Sequence, residues 1–168
     1  MKKNISKFMR FLSLTISLAL FIPVMTNAQA GKANFDGNWV VNAEKSTQPQ
    51  GRQGGQGGGN FVATQAANLL TVVRTRTGQD GQATTTTSKY TLDGKESVNT
   101  MGRGESKSVA TWSADGKTLT IVSKSSFNGT ERTSSEAWTL TSASELSITS
   151  TRQGQNGETK TTAVYDKK

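Results

Sequence analysis

The sequence predicts an all-β fold, an antiparallel up-and-down meander of about eight to ten strands that closes into a barrel. Two observations carry this prediction. From Phe61 onward, threonine, serine, valine and isoleucine dominate and apolar residues tend to alternate with polar ones, which is typical of half-buried strands. Asp-Gly and Asn-Gly pairs also recur at short intervals, and such pairs supply the positive φ that tight hairpin turns need.

Ten strands follow from this pattern, joined mainly by short turns. The first precedes a Gly- and Gln-rich segment, and the other nine follow it without a window of apolar residues at helical spacing. The predicted strands are 35–42, 61–66, 69–76, 83–92, 96–100, 106–113, 118–127, 131–140, 146–152 and 159–165. Their predicted core residues are Trp39, Trp112, Trp138, Leu119, Ile121, Leu146, Ile148 and Tyr165.

A hairpin unit occurs three times along the chain. Each unit has a leucine, a turn glycine and an aromatic residue on the returning strand. The three units are Leu70–Gly81–Tyr90, Leu119–Gly129–Trp138 and Leu146–Gly157–Tyr165. Cross-strand pairing would place the leucine and the aromatic residue together at the open end of each hairpin. Repeated hairpins in meander order favour a closed sheet, because closure removes exposed strand edges.

Residues 1–30 predict a signal peptide. Four cations precede an apolar run, Phe11–Met25, and Ala28-Gln29-Ala30 matches the small-x-small pattern of a cleavage site. The run is 15 residues long. A spanning helix needs about 20, which disfavours a retained anchor. We expect cleavage after Ala30, a periplasmic or secreted protein, and one barrel domain over 31–168 with a flexible Gly/Gln-rich loop at about 49–60.

Composition excludes several functions. The chain has no cysteine and no histidine, so it can form no disulfide, thiolate or imidazole metal site, cysteine nucleophile or Ser-His-Asp triad. The net charge of +8 falls to +4 without the leader's four cations, and this charge is too dispersed to predict nucleic-acid binding. No acidic pair has a distinctive spacing. We therefore expect a non-enzyme without cofactor or metal, monomeric, and without a stable membrane anchor once the leader is removed.

The predicted inward face becomes more polar along each hairpin. Leu70 and Val72 are followed by Arg74 and Arg76, for example, so apolar groups gather at the open ends and polar groups near the turns. The candidate ligand-binding residues at the polar end are Arg74, Arg76, Arg132, Glu136, Trp138 and Arg152. A small amphiphilic or anionic ligand would place its anionic end at the arginines and its apolar part toward Trp138 and Leu146.

Other interpretations of these residues stay open. Arginines at hairpin tips are often solvated or paired across strands, and the aromatic residues can belong to the core alone. A structural or surface-interaction protein with a filled barrel is the alternative function. Lumen volume discriminates the two, because a barrel of about eight strands either fills with side chains or holds one small ligand.

Several motifs resemble known families. Gly37-Asn38-Trp39 resembles the Gly-x-Trp that opens the first strand of lipocalins, where the Trp closes one barrel end. More of the chain is similar to a group of small secreted lipocalin-like proteins of Gram-negative bacteria, most without an assigned function. The similar stretches are 35–39, 44–46, 90–96 and 163–168. The later lipocalin signatures, a Thr-Asp-Tyr turn and an Arg over the Trp, are missing. The resemblance implies export and a lipocalin-like barrel, and it transfers no catalytic residue.

Overall fold

The computed structural model describes residues 31–47, 59–77, 81–101, 104–127, 129–154 and 157–168, and every regular element within these ranges is a β-strand. The strands are β1 (Gly37–Asn42), β2 (Phe61–Ala66), β3 (Leu69–Thr77), β4 (Ala83–Thr91), β5 (Glu96–Met101), β6 (Gly104–Trp112), β7 (Thr118–Phe127), β8 (Thr130–Ser142), β9 (Glu145–Gly154) and β10 (Gly157–Lys167). The all-β meander is confirmed. The predicted signal peptide and most of the predicted loop lie outside the described residues.

The ten strands form one antiparallel sheet in the order β4-β3-β2-β1-β10-β9-β8-β7-β6-β5. The first and last strands pair with each other, which curls the meander into a nearly closed barrel. All three repeated hairpins have the predicted register, with Leu70 opposite Tyr90, Leu119 opposite Trp138 and Leu146 opposite Tyr165. Turn chemistry and alternation together fix this register, since a slip of one residue would expose every leucine.

Side chains close the barrel where backbone pairing stops, between β4 and β5. The Asn99 amide accepts a hydrogen bond from Lys89 N at 2.7 Å and donates one to Lys89 O at 3.0 Å. Thr91 N donates to Ser97 Oγ at 2.9 Å. Asn99 and Ser97 are both buried. These polar side chains satisfy backbone groups that a strand edge would otherwise leave unpaired.

An aromatic cluster closes one end of the barrel. Trp39, at the start of β1, is fully buried and its Nε1 donates to Phe35 O at 2.8 Å. Phe35 is itself buried and packs edge-on against Trp138 with ring centroids 5.7 Å apart. The predicted first strand began at 35, but β1 begins at Gly37, because Phe35 turns into the barrel to form this end of the core.

Seven of the eight predicted core residues are buried, and Trp112 is the exception. It is half-buried at the rim of the aromatic end, where its ring stacks on Phe35 at 5.8 Å and Lys32 Nζ lies 5.4 Å from its centroid. Trp112 is the last residue of β6. Its side chain therefore lies at the edge of the barrel, which sequence alternation alone could not reveal.

The segment before β1 is held against the aromatic end by hydrogen bonds. Ala33 N donates to Gly116 O at 2.9 Å, and the Gln65 amide bridges Phe35 N and Ala33 O. Gly116 has a φ of +70°, and a Cβ there would lie 2.6 Å from Gly31 O. Only glycine satisfies both the turn and this close approach. Among the described residues there is no helix long and apolar enough to cross a membrane.

Candidate functional site

A polar cavity of about 260 Å³ lies inside the barrel and is partly open to solvent. It is positioned by the inward faces of β3 to β8. Its lining residues are Arg74, Arg76, Thr86, Ser88, Tyr90, Asn99, Ser106, Ser108, Ile121, Ser123, Ser125, Ser134 and Glu136. The polarity gradient predicted along the hairpins is present, because apolar residues fill the other end of the barrel.

Hydroxyl groups make up more than half of this lining. Six serines, one threonine and one tyrosine contribute. Strand register explains why the serines of β6 and β7 converge, since Ser106 pairs with Ser125 and Ser108 with Ser123. Ser108 Oγ and Ser123 Oγ lie 2.8 Å apart and share a hydrogen bond. Ile121 is the single aliphatic side chain in the lining.

Arg74 is the cation nearest the core. Its side chain is 13 % exposed, and its guanidinium lies 5.1 Å from the Phe61 ring and 5.9 Å from the Trp138 ring. Such cation–π contacts are stabilising at desolvated sites. Nε and Nη2 are shielded from solvent and have no hydrogen-bond partner among the described residues. A guanidinium with shielded, unused donors retains capacity to bind an anion.

Glu136 is the counter-charge of Arg74. Its Oε2 lies 3.8 Å from Arg74 Nη2, which is an ion pair without a hydrogen bond. The same oxygen accepts a hydrogen bond from Trp138 Nε1 at 3.0 Å. Trp138 is fully buried, so it belongs to the core beneath the cavity and anchors the carboxylate from below. It does not itself line the cavity.

Arg76 adds a second cation to the cavity wall. Burial lowers its pKa, and the nearby charges of Arg74 and Arg152 lower it further. The three guanidinium groups therefore repel one another, and an anion bound nearby would reduce that repulsion.

Arg132 and Arg152 do not line the cavity. Both share the inward register of their strands, with Arg132 opposite Ser125 and Arg152 opposite Ser134. Both are nevertheless exposed, near the β7–β8 and β9–β10 turns. The structure thus brings together Arg74, Arg76 and Glu136, and leaves these two arginines in solvent; their role in binding stays a prediction.

The buried Tyr165 makes the stability of the fold depend on pH. It is fully buried, its ring meets Phe61 edge-on at 5.0 Å, and burial raises its pKa to about 12. The unfolded chain loses this phenol proton near pH 10. Between those values the folded chain binds more protons than the unfolded chain, so stability falls as pH rises.

We therefore expect Tyr165→Phe to flatten the decline of the unfolding free energy between pH 10 and 12. By pH 11.5 the unfolding free energy of the wild type should have fallen by about 2 kcal/mol more than that of Tyr165→Phe, since one pKa unit corresponds to about 1.4 kcal/mol. Urea unfolding at pH 8, 10 and 11.5 measures it. Parallel pH profiles for the two proteins would contradict the assignment.

Several lining residues were not predicted as site residues from the sequence. Ser88, Tyr90 and Asn99 sit on β4 and β5, and Ser106 and Ser108 alternate on β6. The spacing Ser106-x-Ser108 was the available signal, because period-two serines continue the face of Ala110. Among the described residues no group of three or more acidic side chains could hold a metal ion.

Comparison with known proteins relates the chain to a fold. No family model and no curated protein matches it. Among solved structures it is similar to the zebrafish ileal bile acid-binding protein complexed with cholic acid, with a TM-score of 0.54 and 20 % identity. That similarity covers 80 % of this chain and 98 % of the zebrafish chain. The shared feature is the β-barrel fold.

Proposed function

We propose that this chain is a non-catalytic binding barrel that takes one small ligand with an anionic group into its polar cavity. The Arg74 guanidinium carries the proposal, because its shielded Nε and Nη2 have no hydrogen-bond partner among the described residues. Leaving such donors unpaired is costly. An anionic oxygen would accept from them through charge-assisted hydrogen bonds.

Two further observations support binding over the alternative of a filled barrel. A cavity of about 260 Å³ is space that the side chains leave unfilled. The zebrafish neighbour was solved with cholic acid, a small amphiphilic carboxylic acid, on the same fold. The sequence has no histidine or cysteine, so acid–base catalysis in the cavity would depend on carboxylates. Glu136 is the acidic side chain in the described lining, and its carboxylate already accepts a hydrogen bond from Trp138. This supports a non-catalytic role.

The Arg74→Gln substitution tests the proposal. Loss of a charge-assisted hydrogen bond worth about 1.5–3 kcal/mol should weaken binding of an anionic ligand by about tenfold or more. Isothermal titration calorimetry with laurate, cholate, hexanoate and gluconate measures it. Lys124→Gln is the matched control, since it removes the same charge from an exposed position on the outer face of β7, and at 150 mM salt it should change affinity by less than about twofold.

The proposal fails if no carboxylate in this panel binds the wild-type protein more tightly than Arg74→Gln. Equal weakening by Arg74→Gln and Lys124→Gln would also contradict it, because the effect would then be long-range attraction and not contact. Calorimetry at two salt concentrations separates these cases, since long-range attraction fades with salt.

We propose, from the leader sequence, that the protein is exported and cleaved after Ala30. The first residues of the mature chain would then be Gly31-Lys32-Ala33, of which Ala33 hydrogen-bonds to Gly116. N-terminal sequencing of protein from the periplasm and the medium should return this start. Intact Met1 in the membrane fraction would instead indicate a retained anchor.

A further inference from the structure

We infer that the ligand is a small polyhydroxylated monoanion of the sugar-acid class, and not an amphiphile with a hydrocarbon tail. The inference deepens the proposed function and rests on it. Its basis is the composition of the cavity wall, which is hydroxyl-rich around the Arg74 guanidinium.

The first step concerns what an apolar tail would meet. The buried aromatic and aliphatic side chains of the core pack against one another at the closed end, and the cavity begins above them. Within the lining, Ile121 is the single aliphatic side chain. Burying a hydrocarbon there would strip water from serine hydroxyls without replacing their hydrogen bonds, which is unfavourable. The wall therefore favours a hydroxylated ligand over an alkyl or steroid body.

The second step concerns what the hydroxyls can bind. A serine hydroxyl both donates and accepts hydrogen bonds, so it can pair with any hydroxyl of a polyol. The serines line a continuous part of the wall, with Ser88 on β4 and with Ser106, Ser125 and Ser134 on β6 to β8. A ligand with several hydroxyls can pair with several of these serines at once, whereas a hydrocarbon can pair with none of them.

The third step concerns charge and size. The Arg74 donors Nε and Nη2 have no hydrogen-bond partner among the described residues, so the site can take one anionic group there. The cavity volume of 260 Å³ is below the range of about 300–1,000 Å³ typical of pockets for drug-sized ligands, which fits a ligand of one sugar unit.

Four probes separate hydroxyls, charge and apolar bulk by calorimetry on the exported protein. Gluconate and hexanoate share six carbons and one carboxylate and differ in the hydroxyls, sorbitol has the hydroxyls without the charge, and laurate has the long tail. We expect gluconate to bind at least about tenfold more tightly than each of the other three, because a site built for hydroxyls rejects analogues that lack them.

Neighbouring serines provide the matched variants. Ser134 lines the cavity, and the next residue on β8, Ser135, lies on the opposite face of the strand. Ser134→Ala should weaken gluconate binding by about fivefold, the loss of one neutral hydrogen bond, and leave hexanoate binding unchanged. Ser135→Ala should change neither. Circular dichroism checks that both variants retain the wild-type fold.

The outcomes distinguish this inference from the proposed function. If hexanoate or laurate binds as tightly as gluconate and Arg74→Gln weakens that binding, the inference is overturned and the proposed function stands. If Ser134→Ala and Ser135→Ala have equal effects on gluconate, the inference is likewise overturned. If none of the anions binds wild type better than Arg74→Gln, the proposed function falls and the inference falls with it.

Discussion

Replacing Trp39 by alanine should lower the free energy of unfolding by about 4 kcal/mol, the middle of the range for removing a buried tryptophan. Trp39 is fully buried and its Nε1 donates to Phe35 O at 2.8 Å. The substitution opens a void in the core and leaves the Phe35 carbonyl without this donor. It also removes the ring under Lys167 Nζ, which lies 5.6 Å from its centroid. Equilibrium urea unfolding followed by far-ultraviolet circular dichroism measures the loss.

Trp112→Ala is the matched control for this prediction. Trp112 belongs to the same aromatic end but is half-buried, and its Nε1 has no hydrogen-bond partner among the described residues. Its removal should therefore cost about 2 kcal/mol, less than the fully buried case. Equal losses of unfolding free energy for the two variants would contradict the full burial of Trp39 at the aromatic end of the barrel.

Replacing Glu136 by leucine should destabilise the fold by about 3 kcal/mol, because it leaves the largely buried Arg74 charge without its counter-ion. The Glu136 and Arg74 side chains are 18 % and 13 % exposed, and their charged atoms lie 3.8 Å apart. The substitution also removes the acceptor of Trp138 Nε1. The unfolding free energy from urea titration at pH 7 provides the measurement.

The double variant Arg74→Leu with Glu136→Leu distinguishes charge from packing. Replacing both members of a buried pair by apolar residues is often neutral or stabilising, so the double variant should recover about 2 kcal/mol relative to Glu136→Leu alone. The loss of unfolding free energy that remains in the double variant would come from Trp138 Nε1, which has lost its acceptor. A double variant whose loss equals the sum of the two single losses would show that the pair is not coupled.

The geometry of the Arg74–Glu136 ion pair also explains why Arg74 keeps donors for a ligand. Trp138 Nε1 holds the Glu136 carboxylate toward the core, at a distance from Arg74 that allows an ion pair but no hydrogen bond. The guanidinium is therefore compensated in charge and still unsatisfied in its directed donors. An anionic ligand can complete those hydrogen bonds without first breaking a short internal one.

The sequence predicts the positions of some residues in the barrel and not of others. Arg74 and Glu136 were placed on inward faces from alternation alone, and the register confirms that placement because period-two alternation determines the face of a strand. The cap formed by Phe35 was missed. Its position depends on hydrogen bonds to Gln65, which is 30 residues away along the chain, and such a contact leaves no local pattern.

The sequence by itself determined the ten strands, their turns, the register of the repeated hairpins and the polarity gradient along them. These features depend on local alternation and on turn residues such as Gly116, which act over a few residues. Only the tertiary structure decided depth along the barrel. Arg74 and Arg152 both follow the inward register, yet one is enclosed and the other is solvated. Alternation specifies which face a side chain occupies, whereas the surrounding strand ends and the closure between β4 and β5 determine whether that face is covered.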